Sequence, residues 1–130
     1  MATIKSYTDI KQSETLVNIL SLESADAKYG YIAPYEYSDR MYDAGYDEIP
    51  YPIAFIKKDY SNFFVEEYDG ELPCWSLVAL LNIIGNIFKY SLDYNGISFI
   101  LTVGDFEVTN KTAVDACYDM IVKLNELKLL

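Results

Sequence analysis

Pro73-Cys74-Trp75 opens the apolar stretch LPCWSLVALL (72–81), and it is where this chain comes nearest to carrying a nucleophile. A thiol in the first turn of a helix feels the positive end of the macrodipole, which lowers its pKa and raises its thiolate fraction. Thiol-protease chemistry also needs an imidazole to hold the thiolate and to protonate the leaving amine. The chain contains no histidine. A small enzyme or ligand binder would have to pair Cys74 with a lysine or carboxylate, or build a carboxylate–tyrosine pocket, and no spacing in the sequence nominates one. The core reading explains more residues. Only Ser76 and Asn82 interrupt CWSLVALLNII (74–84), and a helix apolar nearly all round is one that its own domain covers. Trp75 is then a packing anchor, Cys74 and Cys117 are small buried hydrophobes, and Gly85 is a left-handed stop. No catalytic residue and no cofactor is assigned.

Carboxylates are plentiful, with Asp+Glu 20 against Lys+Arg 10. Two of them will be neighbours by chance, so a glycosidase-type pair has no support from sequence. Asp43, Asp47 and Glu48 offer oxygen ligands for a hard cation, but their spacing is not that of an EF-hand loop. A solvated acidic loop explains them better, and no metal site is assigned. No phosphate-cradling glycine loop, dinucleotide fingerprint or nucleophile elbow is present.

One stretch is not flattened by composition. In YEYSDRMYDAGYDE (35–48), Tyr35, Tyr37, Tyr42 and Tyr46 interleave with Glu36, Asp39, Asp43, Asp47 and Glu48. Tyrosine gives contact area at low entropic cost and clustered acids steer an oppositely charged partner. Tyr35, Tyr37, Tyr42, Asp43, Tyr46 and Asp47 are therefore the candidate partner-binding residues. The alternative is a lid of tyrosines folded back on the core with their hydroxyls in water.

Charge narrows the classes further. A net charge of -10 with a single arginine, Arg40, cannot build the counterion-releasing surface that direct nucleic-acid binding needs, and it disfavours anionic membranes. It suits a basic protein partner or plain solubility. At 130 residues the chain fits a single domain. No apolar run approaches the roughly 18 residues of a membrane span. MATIKSYTDI lacks the signal-peptide pattern, so the expected location is cytoplasmic.

Elements follow from periodicity and punctuation. Ser6-Tyr7-Thr8-Asp9 has capping-box spacing, and Ile10, Leu16, Val17, Ile19 and Leu20 predict a helix over about 7–20. Residues 22–52 read as a Tyr/Asp/Glu-rich irregular segment. Residues 53–58 and 63–68 predict short strands joined across 59–62, and Leu72 to Ile84 predict a helix. Asn95-Gly96 predicts a type I′ hairpin pairing Tyr94 with Ile97, Leu92 with Phe99, Tyr90 with Leu101 and Phe88 with Val103. Thr112 caps a last helix carrying Ala113, Cys117, Met120, Ile121, Leu124 and Leu127 inward, with Asp119 and Glu126 facing water. The expected fold is α+β: a small antiparallel sheet with helices packed on one face and a central apolar helix.

SYTDIKQSETLVNIL, LPCWSLVALLNII and AVDACYDMIVKLNELKLL together resemble a group of short uncharacterised proteins of gut bacteria and their phages or mobile elements. The group has no established activity, and the resemblance implies a small accessory protein with no catalytic or binding residue carried over. The sequence thus points to a non-enzymatic protein-interaction module. A homo-oligomer with the tyrosine segment at its interface is a further possibility. In a more specific form, the module is an inhibitor that imitates nucleic acid to block a basic host protein.

Overall fold

A computed structural model of the chain describes residues 5–30, 53–56 and 72–130, with the backbone alone for 53–56. The fold is α+β, with two small antiparallel sheets and three α-helices among the described residues. In chain order the elements are α1 (Ile10–Leu16), a 3-10 turn (Leu22–Ser24), β1 (Ala27–Gly30), β2 (Ile53–Ile56), β3 (Leu72–Cys74), α2 (Leu77–Gly85), β4 (Tyr90–Tyr94), β5 (Phe99–Val103), β6 (Phe106–Asn110) and α3 (Ala113–Glu126). The first sheet has the order β2-β1-β3 and the second β4-β5-β6.

α1 is shorter than its periodicity suggested, because the cap is Asp9 rather than Ser6. The Asp9 carboxylate accepts from the Gln12 backbone N–H at 2.7 Å, and the Gln12 amide oxygen accepts from the Asp9 N–H at 3.1 Å. That reciprocal pair satisfies donors that a helix start leaves open. Freed from the helix, Tyr7 and Thr8 run extended beside the end of β3: Tyr7 bridges Ser76, and the Thr8 N–H donates to the Trp75 carbonyl at 2.9 Å.

The Leu72 to Ile84 stretch is not one helix. Leu72, Pro73 and Cys74 form β3, paired with β1, and Ser76 caps α2 by accepting from the Ala79 N–H at 3.2 Å. Pro73 sits at the sheet's edge, where its missing N–H costs no ladder bond. α2 buries Ala79, Leu80 and Ile84 but exposes Val78, Asn82 and Gly85, one stripe at three- and four-residue spacing. It therefore has a solvent side and is not enclosed all round. Gly85 is the last residue of α2 and not a left-handed stop, since Asn86 caps in the right-handed region. Its value is proximity: a Cβ there would lie 3.2 Å from the Tyr90 ring.

Part of the segment read as irregular is ordered as β1, the central strand of the first sheet. β2 pairs with β1, with Gly30 opposite Ile53. The predicted strand at 63–68 lies outside the described residues.

The β4–β5 hairpin forms, two residues out of the predicted register. Tyr94 pairs with Phe99, Leu92 with Leu101 and Tyr90 with Val103. The reason is local: the Asn95 side-chain oxygen accepts from the N–H groups of Ile97 (2.9 Å) and Ser98 (2.8 Å). Only Gly96 in this loop has positive φ (93°), whereas a type I′ turn needs it at both central residues. A shift of two leaves every side chain on its expected face, because strand side chains alternate with period two. β6 was not anticipated. It follows β5 through Gly104-Asp105, with φ 58° at Gly104, the glycine-first pattern of a type II′ turn.

α3 starts as expected at Thr112, whose hydroxyl accepts from the Asp115 N–H at 3.0 Å. It buries Val114, Ala116, Cys117, Met120, Ile121 and Leu124. Leu127 is exposed, and Asp119 is tied to the Asn110 side chain at 2.7 Å instead of facing bulk water. One cluster of buried side chains runs from Leu16 and Trp75 through Leu80 and Ile84 to Leu101, Val103 and the inner face of α3. None of the described helices is long and apolar enough to cross a membrane.

Candidate interaction surface

Cys74 lies in β3 rather than at a helix start, and it is 0% exposed. Burial pushes its thiol up to about 12, and the nearby Asp26 carboxylate pushes the same way. Burial alone takes Cys117 to about 12 as well. A reactive cysteine needs the opposite environment, electropositive and reachable. The Pro-Cys-Trp stretch is thus core architecture.

The polar groups around it serve to lock chain segments together. The Asp26 carboxylate accepts from the Ser76 N–H at 2.9 Å and from the Ser76 hydroxyl, which fastens the start of α2 to the residue before β1. The Trp75 N–H donates to the Thr8 hydroxyl oxygen at 3.1 Å, and its indole N–H donates to Ser24 at 2.9 Å. The Tyr29 hydroxyl donates to the Thr8 carbonyl at 2.6 Å, and burial, with the nearby Cys74, Asp9 and Tyr7, raises it to about 12. Every buried side-chain nitrogen and oxygen among the described residues has a partner. Among the same residues no three acidic or thiol side chains group as metal ligands.

Asp115 ties the two ends of the chain together. It accepts from the Lys5 ammonium and the Gln12 amide, each at 2.7 Å. Burial alone would raise its carboxyl, but hydrogen bonds from Lys5, Gln12 and Thr112 outweigh it, so the carboxyl sits below its ordinary 3.8. A depressed carboxyl stabilises the fold fully above the unfolded value, and the contribution is lost as pH falls through the folded one. Asp115→Ala is therefore expected to cost about 1–3 kcal/mol at pH 7, and to cost progressively less below pH 3.8. Urea titrations at neutral and acid pH check this, and an equal cost at both would refute the assignment.

Two surfaces remain as candidates for binding. The first is where Tyr35, Tyr37, Tyr42, Asp43, Tyr46 and Asp47 belong. These residues, with Glu36, Asp39 and Glu48, lie outside the described residues. What is described is their attachment: the chain leaves β1 at Gly30 and re-enters β2 at Ile53, and those two residues are paired. β1 is held on both edges and by the Tyr29 hydroxyl, which makes a firm base.

The second surface was not foreseen. On the second sheet Tyr90, Leu92 and Tyr94 share a face with Phe99, Leu101 and Val103 of β5 and Phe106 and Val108 of β6. α3 packs against β5 and β6 on this side, with the Lys123 ammonium 5.5 Å from the centre of the Phe106 ring. Leu101 and Val103 are buried, whereas Tyr90 is 41% and Tyr94 50% exposed. The Tyr94 and Phe99 rings contact at 4.8 Å between centres. Ile97 at the hairpin tip is 81% exposed, and Ile87 just before β4 is also exposed. The aromatic strip thus runs past the cover that the helices provide. The legible signal was the use of tyrosine in β4 opposite leucine and valine in β5, since tyrosine tolerates a half-wet position.

β4 has one neighbour among the described residues, β5. The Asn95 N–H donates to the Ser98 carbonyl at 3.1 Å, which fixes the alternation of the ladder. Ser91 and Asp93 direct their backbone groups to β5, and Tyr90, Leu92 and Tyr94 direct theirs outward.

No protein-family model matches the chain, and no match is found among curated proteins or solved structures.

Proposed function

We propose that the protein is a small acidic, non-enzymatic interaction module that binds a basic protein through the tyrosine- and carboxylate-rich residues between β1 and β2. The observation that carries this reading is the pairing of Gly30 with Ile53. A stretch holding Tyr35, Tyr37, Tyr42, Asp43, Tyr46 and Asp47 is attached at both ends to one point of a sheet. Binding residues on a connection held by a rigid scaffold are a recurrent arrangement, and connections of this length inside a domain are usually functional or disordered. The net charge of -10 supplies steering toward a basic surface. The resemblance to short uncharacterised proteins of gut bacteria and their phages or mobile elements implies a small accessory protein, and an inhibitor that imitates nucleic acid is the specific form of this proposal. The location in that form is the cytoplasm.

The test is capture from a host lysate by the immobilised protein. A basic partner should be retained by the wild type and lost with Tyr42→Ala/Asp43→Ala/Tyr46→Ala, a triple change that leaves the thermal midpoint in place. Undiminished capture by the folded triple variant removes the segment from the reading. The rival enzyme or ligand-binder reading, with Cys74 as its working group, draws no support from a sulfur sealed in the core.

A further inference from the structure

We propose that two copies of the chain associate through β4, edge to edge and antiparallel, to make one continuous sheet across a two-fold axis. This does not rest on the basic-partner reading, since it concerns different residues.

Among the described residues, no strand pairs with the outer edge of β4. Edges are commonly blunted by proline, bulges or charged side chains, and within β4 Asp93 is the one residue of that kind. β4 is YSLDY, with no proline and no break in its register. Its outward N–H and C=O groups belong to Tyr90, Leu92 and Tyr94, whose side chains form the half-exposed strip.

The sequence of β4 is complementary to itself. Centring the pair on Leu92 sets Leu92 against Leu92 of the second copy and Tyr90 against Tyr94 of the second copy. The outward backbone groups of these residues then meet as hydrogen-bonded pairs. On the other face Ser91 meets Asp93 of the second copy, and Lys89 meets Asn95. No like charges stand directly opposite. Sliding the register two residues toward the turn would set Asp93 against Asp93, so charge disfavours that slip. The tyrosines of each copy cover the strip of the other, and a two-fold interface of this kind closes and does not propagate.

Two features set its strength. One strand pair falls below the roughly 1,200 Å² of a stable complex, so the dimer is a reversible one. The two Asp93 carboxylates are diagonal neighbours on the solvent face, and each copy carries -10. Screening these charges strengthens the association, the reverse of binding to a basic partner.

Light scattering and sedimentation across protein concentration and salt test the proposal. The wild type should pass from monomer to dimer over the micromolar range, with tighter association at higher salt. Asp93→Asn should tighten it about 2- to 5-fold. Tyr90→Lys/Tyr94→Lys sets lysine opposite lysine and should abolish the dimer. Leu92→Pro is the second variant, since it removes an N–H that β5 does not use; it too should be monomeric. Circular dichroism melts confirm that the variants are folded. A wild type that stays monomeric at about 100 µM overturns the proposal, a concentration well above any micromolar Kd. So does a dimer that survives both variants, one that salt loosens, or an edge that takes up an extended basic peptide in preference to a second copy.

Discussion

Trp75→Ala is expected to be the most damaging single change in the described part of the chain, costing about 3–5 kcal/mol. The side chain is fully buried in the one continuous core cluster. Its loss leaves a cavity in that cluster, and it removes the indole N–H that donates to Ser24 at 2.9 Å. The backbone of the same residue exchanges bonds with Thr8, so a collapsing side chain also loosens the N-terminal segment. Domains of this size have about 5–15 kcal/mol in total, and the variant should retain little of it. Trp75→Phe keeps most of the volume and loses the N–H, an expected cost of about 1–2 kcal/mol. Urea unfolding followed by circular dichroism reads both. With a slope of about 1–3 kcal/mol per molar urea, the alanine midpoint should fall by more than about 1 M. A shift within error would show that Trp75 is not the anchor.

The second large effect is chemical. Neither thiol should react with an aromatic disulfide reagent in the native protein at neutral pH, and both should react once it is unfolded. Moving a thiol from 9.0 to about 12 cuts its thiolate fraction about a thousand-fold, and complete burial adds the barrier of opening the core. Labelling should therefore track unfolding, with Cys74 and Cys117 reacting together. Rapid native labelling of Cys74 alone would reopen the case for a nucleophile. The same shifts predict alkaline unfolding. A thiol whose folded pKa is raised stabilises the fold fully below its unfolded value, and that contribution is lost as pH climbs from 9 toward 12. Tyr29, also raised to about 12, adds to the loss over the upper part of that range.

Both results bear on how the chain resists chemistry while offering surfaces. Asp26, Ser76, Thr8 and Trp75 look in isolation like parts of a site, yet each polar atom is spent on another segment of the chain. Among the described residues, aromatic area on β4 stays exposed at Tyr90 and Tyr94.

Local chemistry was legible from sequence alone. The Thr112 cap and inner face of α3, the hairpin faces of β4 and β5, and the burial of Cys74 and Trp75 follow from residue types within a few positions of one another. The absence of histidine disposed of imidazole chemistry without any coordinates. Tertiary structure decided the rest. Pro73 and Cys74 became strand because β1 offered a partner, a contact some 45 residues away that no local pattern encodes. Asp9 took the cap from Ser6 because Tyr7 and Thr8 were needed beside Trp75. Which part of an apolar sheet face goes uncovered depends on where α3 lies across it, and helix placement is a sum of long-range contacts. That is why Tyr90 and Tyr94 could be assigned their face from the sequence, while their exposure emerged only in three dimensions.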